Sequence, residues 1–195
     1  MKTLFVTYHS DLGTSTFYKD CAHKLEAKIE SLGGRIFVEE GRNLGSYAAN
    51  CLIKPKFIRS CLQRYNEPII WIDADSIVNE LPIEMEGLDV DVACVEKANG
   101  CPESALIYFN NTLPSIEFIN RWVVGCSTDK PELDHPVLKE MWFGESKGES
   151  RKSLSDSICS VRDDSKIKII LSNTVGKREI TKQVMDRRAK EGKIQ

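Results

Sequence analysis

Apolar and polar positions change period several times along the chain, and each change marks an element. Leu4 to Tyr8 reads as a strand, and Ser10 to Ser15, with Gly13, as a polar turn. Phe17, Cys21, Leu25, Ile29 and Leu32 then recur at helical spacing. Thr14 or Ser15 is placed to cap that helix and Gly33-Gly34 to end it. Arg35 to Glu39 carries Ile36, Phe37 and Val38 and predicts a second strand. The chain therefore begins as a βαβ unit, which favours a parallel sheet.

Gly41 to Asn50 is rich in Gly, Asn and Ser and reads as a loop. Pro55 suits the first position of the next helix, whose buried face is Phe57, Ile58, Cys61, Leu62 and Tyr65. Asn66-Glu67-Pro68 turns the chain into Ile69-Ile70-Trp71-Ile72, an unbroken apolar run that predicts a strand buried on both faces. Asp91 to Glu96 and Ala105 to Asn110 are two further strands. Pro114 to Cys126 is a helix with Ile116, Ile119, Trp122 and Val123 inward, and Asp134 is placed to cap another that runs through Trp142. Phe143 to Ser157 is poor in apolar residues and reads as a mobile surface loop that could close as a lid. Lys166 to Leu171 alternates into a last strand. A charged helix is expected over about 178–192. From Lys177 on, seven Lys/Arg against three acids leave the tail at +4. No internal repeat is visible. The pattern predicts an α/β fold of three layers, a mostly parallel sheet with helices on both faces.

The 195 residues suit one domain over 1–195. Such a domain buries roughly 70% of its unfolded surface. A formal net charge of -2 argues against a nucleic-acid partner bound by phosphate neutralisation. No apolar run approaches the ~20 residues that span a bilayer, so no transmembrane segment is expected. Met1 to Thr7 turns polar too soon for a signal peptide and reads better as the first strand. The seven cysteines show no CxxC spacing, which weakens both a zinc site and a disulfide framework. Cys21, Cys51, Cys61, Cys94 and Cys126 fall among apolar positions and read as small core residues of a reducing, cytoplasmic protein.

The candidate chemistry starts where the buried strand runs out, at Asp73-Ala74-Asp75. Ligands of open α/β sheets bind beyond the carboxyl ends of strands. If the chain is still extended there, Asp73 and Asp75 point to one side. Two such carboxylates repel unless a cation holds them, and a hard divalent metal that also bridges phosphates is the simplest one. Lys54 immediately precedes the helix-opening proline. A bound phosphate would reconcile its charge with the helix dipole, or a long stem could carry that charge into water. Gly176-Lys177-Arg178 can be a diphosphate cradle or a plain strand-to-helix turn. Asp134 can be both cap and cleft residue, and His135 beside it reads as a surface or supporting group. The second Asp-x-Asp, within Asp89 to Val92, precedes its strand and fits a turn.

Taken in order, Lys54-Pro55-Lys56-Phe57-Ile58, Ile69 to Asp75, Ser104 to Thr112, Trp122 and Asp134-His135 with Leu138 resemble nucleotide-diphosphosugar transferases of the GT-A fold. The pattern is similar to that of glycogenin-like and small bacterial and viral glycosyltransferases. The resemblance spans roughly residues 1–180, with the central block the specific part. It implies that Thr7-Tyr8-His9 cradle the nucleobase and ribose, and that Lys54 lies near the donor diphosphate. Asp73-Ala74-Asp75 would be the DxD element that binds Mn2+ or Mg2+ together with a sugar nucleotide of UDP or GDP type. Asp134 would face the transferred sugar or the acceptor, as the catalytic acidic residue. Asn173 to Arg178 match a His-x-x-Gly-x-Lys-like element, with Gly176, Lys177 and Arg178 toward the diphosphate. Asn173 stands where the family usually has a histidine as third metal ligand, and its amide oxygen can ligate a hard metal. The implied partners are the sugar nucleotide and a glycan, lipid or protein acceptor, and a homo-oligomer is allowed. The chain is short for the fold, so acceptor-binding elaborations are minimal or come from a partner.

Two other readings compete. An apolar strand followed by DxD also marks haloacid-dehalogenase-type phosphatases, with Asp73 as covalent nucleophile and Asp163-Asp164 as the later acidic pair. That motif normally opens its fold, whereas here a βαβ region precedes it. A non-catalytic sugar-nucleotide-binding module is the third reading, motivated by Asn173 and the short chain.

Overall fold

The computed structural model describes residues 1–97, 100–127, 133–160 and 167–171. In chain order the elements are β1 (Leu4–His9), α1 (Phe17–Ser31), β2 (Arg35–Glu40), α2 (Tyr47–Leu52) and α3 (Lys54–Tyr65). Then follow β3 (Ile69–Ile72), β4 (Ile77–Val78), a 3-10 turn at Ile83–Met85, β5 (Val92–Glu96) and β6 (Pro102–Phe109). The rest are α4 (Leu113–Gly125), α5 (Asp134–Phe143), β7 (Arg151–Leu154), β8 (Cys159–Ser160) and β9 (Ile169–Ile170). Among the described residues six strands form the main sheet, in the order β2-β1-β3-β6-β5-β7. Strand β6 is antiparallel to both its neighbours, and the other pairings are parallel. A small second sheet, β4-β9-β8, is not hydrogen-bonded into it.

Alternation along the strands sorts the core into two layers. Leu4, Val6, Ile69, Trp71, Val92, Cys94, Ile107 and Phe109 pack on one face against Ile58 and Leu62 of α3, Phe118, Ile119 and Trp122 of α4, and Leu138 and Trp142 of α5. Phe5, Ile70, Ile72, Ala93, Val95, Leu106 and Tyr108 face the other way, onto Leu25 and Ile29 of α1 and Val78, Cys159 and Ile169 of the small sheet. One outer layer is therefore three helices, while the other is a helix plus a three-stranded sheet. The fully buried run predicted for β3 is observed: its four residues are at most 2% exposed.

Several boundaries differ from expectation for identifiable reasons. Helix α1 starts at Phe17 with Thr16 in the N-cap position, which makes no side-chain cap; of the expected caps, Ser15 Oγ accepts from the Phe17 amide alone, at 3.2 Å. The Asp11 carboxylate accepts from the Tyr18 and Lys19 amides instead, at 2.8 and 2.9 Å, which places an anion on the free N–H groups of the first turn. The supposed loop over 41–50 contains the start of α2, capped by Ser46 Oγ, which accepts from Ala49 N. Asp134 is not a cap: Leu133 holds that position and Asp134 is the first helical residue. The stretch 143–157 contains β7, paired in parallel with β5, so part of the expected lid is sheet edge. Its side chains are polar because an edge strand buries little. Strand β9 joins the small sheet and not the main one. Cys61, Cys94 and Cys126 are buried as expected, whereas Cys21 and Cys51 are only partly so. Asp91 of the second Asp-x-Asp is structural: its carboxylate accepts from Thr112 Oγ1 and from Ser150 N and Oγ. The charged tail and Asp163-Asp164 lie outside the described residues.

Candidate functional site

The carboxyl ends of β1 and β3 meet the start of the reversed strand β6 at one edge of the sheet, and a cleft opens there. Between Cys94 and Glu96 the β5–β6 register slips, from Cys94↔Ile107 to Glu96↔Pro102. Glu103, Ser104 and Ala105, beside this irregularity, line the cleft, and bulges are frequent near ligand sites. Beyond β3 the chain is not extended. Ser76 N donates to Asp73 O at 3.0 Å, closing a tight turn over Asp73-Ala74-Asp75-Ser76, and Asp73 N donates to Ala105 O at 2.9 Å. The turn replaces strand alternation as the device that presents both carboxylates, since Asp73 and Asp75 each line the cleft.

Lys54 does not carry its charge into water. It is 5% exposed, and its ammonium lies 3.1 Å from Asp73 Oδ1 and 2.9 Å from Asp134 Oδ2. It also donates to Ser104 O at 3.2 Å and sits over the Trp71 ring. Asp73 Oδ1 accepts in addition from Trp71 Nε1 at 3.0 Å. Burial alone pushes the Lys54 ammonium down, but the carboxylates of Asp134 and Asp73 outweigh that and hold it well above the usual lysine range. Lys54 thus ties the first turn of α3 to the turn after β3 and to the first turn of α5.

Tyr8 closes the β1 side. Its ring packs on Phe57 and Trp71, and its hydroxyl donates to Asn50 O. Burial raises its pKa well above the usual tyrosine range, so it stays a neutral donor. On the opposite wall Lys97 pairs with Glu103 at 2.8 Å. His135 lies nearby, and burial followed by the Lys97 charge lowers its pKa, so its imidazole is neutral near pH 7. Burial pushes the Cys51 thiol up to about 11, leaving it a poor nucleophile.

Six of the expected site residues therefore line one cleft: Tyr8, Lys54, Asp73, Ala74, Asp75 and Asp134. Thr7 is fully buried and does not line it. Asn173, Gly176, Lys177 and Arg178 lie outside the described residues. Tyr18, Tyr47, Asn50, Lys97 and Glu103 also line the cleft and went unrecognised in the sequence. For Tyr47 and Asn50 the available signal was Ser46 as a helix cap. For Glu103 there was none, because a register slip is not written in a period.

Four cleft carboxylates (Asp73, Asp75, Glu103, Asp134) face two ammonium groups (Lys54, Lys97), which leaves the described lining two charges negative. Among the described residues no cluster of three or more His, Cys, Asp or Glu side chains forms a metal cage. A site of two carboxylates does suit Mg2+ or Mn2+ when substrate phosphates complete the oxygen shell. The donor set at Asp73 and Asp75 fits that use. The cleft holds about 200 Å³ of enclosed space and opens to solvent at its mouth.

No protein-family profile and no curated protein matches the chain. Solved structures do. The fold superposes on the crystal structure of a glycosyltransferase involved in the glycosylation of the major capsid of PBCV-1, with a TM-score of 0.69 at 12% identity, over 94% of this chain and 99% of that one. Looser matches are the apo-form glycosyltransferase GlyE of Streptococcus pneumoniae TIGR4 (TM-score 0.48, 15% identity, 82% of this chain and 46% of that one). Apo mouse xyloside xylosyltransferase 1 is another (TM-score 0.49, 9% identity, 82% and 87%). The first likeness shows the fold: a mixed, mostly parallel sheet of the GT-A, Rossmann-like kind.

Proposed function

We propose that the chain is a glycosyltransferase that moves a hexosyl group from a UDP- or GDP-type donor to an acceptor hydroxyl, with Mn2+ or Mg2+ held by Asp73 and Asp75. The observation that carries this reading is the negative charge of the described lining of the cleft at the carboxyl ends of β1 and β3. A diphosphate is repelled by that surface alone and accepted with a divalent cation on the Asp73–Asp75 turn. The GT-A fold, shared with a protein named as a glycosyltransferase, supports the same class. When bound, the metal supplies Lewis-acid stabilisation of charge growing on the departing diphosphate.

The chain's own residues do the rest. Lys54 fixes the Asp134 side chain through its 2.9 Å ion pair, so Asp134 can accept hydrogen bonds from hydroxyls of the transferred sugar or the acceptor. Tyr8, held by Asn50 O and by Phe57 and Trp71, gives the nucleoside a rigid wall. Burial of these groups strengthens their fields, because little water screens them. Asn173, Gly176, Lys177 and Arg178 are assigned to the diphosphate and the metal in the same reading. The phosphatase alternative fits less well: Asp73 Oδ1 is already held by Lys54 and Trp71 Nε1, which lowers its value as a nucleophile.

Thermal-shift titration with UDP, GDP, CDP and their sugars, with and without Mn2+, tests the class. A metal-dependent upward shift is expected, together with slow donor hydrolysis. Asp75→Ala is expected to abolish the metal-dependent part and to cut turnover by roughly 10²-fold or more, the scale of losing one electrostatic stabiliser. Absence of any nucleotide shift would sink the reading. Tight nucleotide binding with neither hydrolysis nor transfer would point to a binding module. Aryl-phosphate hydrolysis indifferent to sugar nucleotides would point to a phosphatase.

A further inference from the structure

Strand β2 forms one end of the main sheet, and among the described residues nothing pairs with its outer side. It is six residues long and only half-buried at Ile36, Phe37 and Val38. A free edge of this length is a ready template for another strand. Beside it, between β2 and α3, runs a second groove whose floor is Phe37 and Phe57, with stacked rings 6.3 Å apart.

Three cations border that floor, Arg42, Lys56 and Arg64, against one acid, Glu39. All three are exposed. None makes an ion pair among the described residues, although Lys54, Lys97, Arg121, Arg151 and Lys168 all do. Arg64 instead lies over the rings of Phe37 and Tyr65. Unpaired cations converging on an aromatic floor, in a chain of net charge -2, mark a place for an acidic ligand with apolar groups of its own.

We propose that the outer edge of β2 and this groove bind an extended acidic peptide. Its main chain adds as a strand to β2, its carboxylates face Arg42, Lys56 and Arg64, and its apolar side chains rest on Phe37 and Phe57. Charge decides against the nearer candidates. The chain's own tail from Lys177 on carries +4 and is repelled by the same cations. A second copy paired through β2 would bring two sets of three cations together against four acids, Glu39 and Glu40 of each copy. Tyr8 walls both groove and cleft, so a peptide seated here lies next to the candidate active site.

The test needs no sugar donor, so it stands apart from the proposed reaction. A fluorescein-labelled ten-residue peptide alternating glutamate with valine and phenylalanine is titrated by fluorescence polarisation, with a lysine-for-glutamate peptide as control. The glutamate peptide is expected to bind, to weaken with salt, and to slow hydrogen exchange over residues 35–40. R42E/K56E alters two exposed side chains and is expected to keep the wild-type melting point while losing at least ten-fold in affinity. Equal binding of the lysine peptide, or unchanged affinity in R42E/K56E, overturns the proposal. So does concentration-dependent protection of residues 35–40 without peptide, which would assign the edge to a second copy. Binding to phosphatidylserine vesicles with none to the peptide overturns it as well.

Discussion

Lys54→Met is expected to destabilise the protein by about 3–5 kcal/mol, the usual consequence of breaking a buried pair from one side. For a chain of this size that is a fall of roughly 6–20 °C in melting temperature. The cause is what stays behind. Asp134 is 4% exposed and Asp73 already shares its Oδ1 with the Trp71 indole. Without the ammonium, two carboxylates face each other in a poorly solvated cleft, and Ser104 O loses its donor. A second substitution separates this account from simple loss of packing. Lys54→Met combined with Asp134→Asn removes the stranded charge as well and is expected to recover a substantial part of the loss, while turnover stays near background in both. Lys54→Arg is not expected to rescue, since a planar fork cannot present one compact charge to Asp73, Asp134 and Ser104 at once. Urea unfolding of the four proteins at pH 7 reads the outcome. A single variant as stable as wild type would mean that the pair carries no net weight.

The reach of the sequence follows from how local each determinant is. Strand β3 and its terminal aspartates were legible because a buried strand is an unbroken apolar run and the motif is contiguous. Helices α1, α3 and α4 were legible from period alone. The buried ion pairs of Lys54 were not legible because its partners come from distant segments: no local rule brings α3, the turn after β3 and α5 to one point. The same lysine explains why Asp134 fails to cap its helix, since a carboxylate drawn into an ion pair is not available to backbone amides. The antiparallel sense of β6 was hidden for a different reason. A strand buried on both faces reads alike in either direction, and the register slip opposite Glu103 leaves no periodic trace. Strand β7 was lost because Arg151, Lys152 and Ser153 are polar, as an edge permits, and its anchoring comes from Glu149 just before it.

Glu149 supplies the second large effect. Its side chain is 1% exposed and meets Arg121 at 2.9 Å and Arg151 more closely still. Arg151 in turn donates to Trp142 O at 2.8 Å and Gly144 O at 2.9 Å, so one carboxylate joins α4, the end of α5 and the edge strand β7. Burial by itself raises the Glu149 pKa, but hydrogen bonds from Arg151, and then from its own amide and Arg121, lower it below the usual carboxylate range. A carboxylate depressed in the folded state contributes stability above its unfolded pKa of about 4.3, and that contribution is lost as pH falls through the lower folded value. Glu149→Gln is therefore expected to destabilise by about 3 kcal/mol at pH 7, the low end for a buried pair broken from one side, because Arg151 keeps its carbonyl partners. The gap between variant and wild type should narrow steadily below about pH 4. Urea unfolding at pH 7 and at pH 3.5 measures both, and hydrogen exchange locates the loss, with amides of residues 151–154 freed first. A gap that stayed constant with pH would show that Glu149 acts by shape and not by charge.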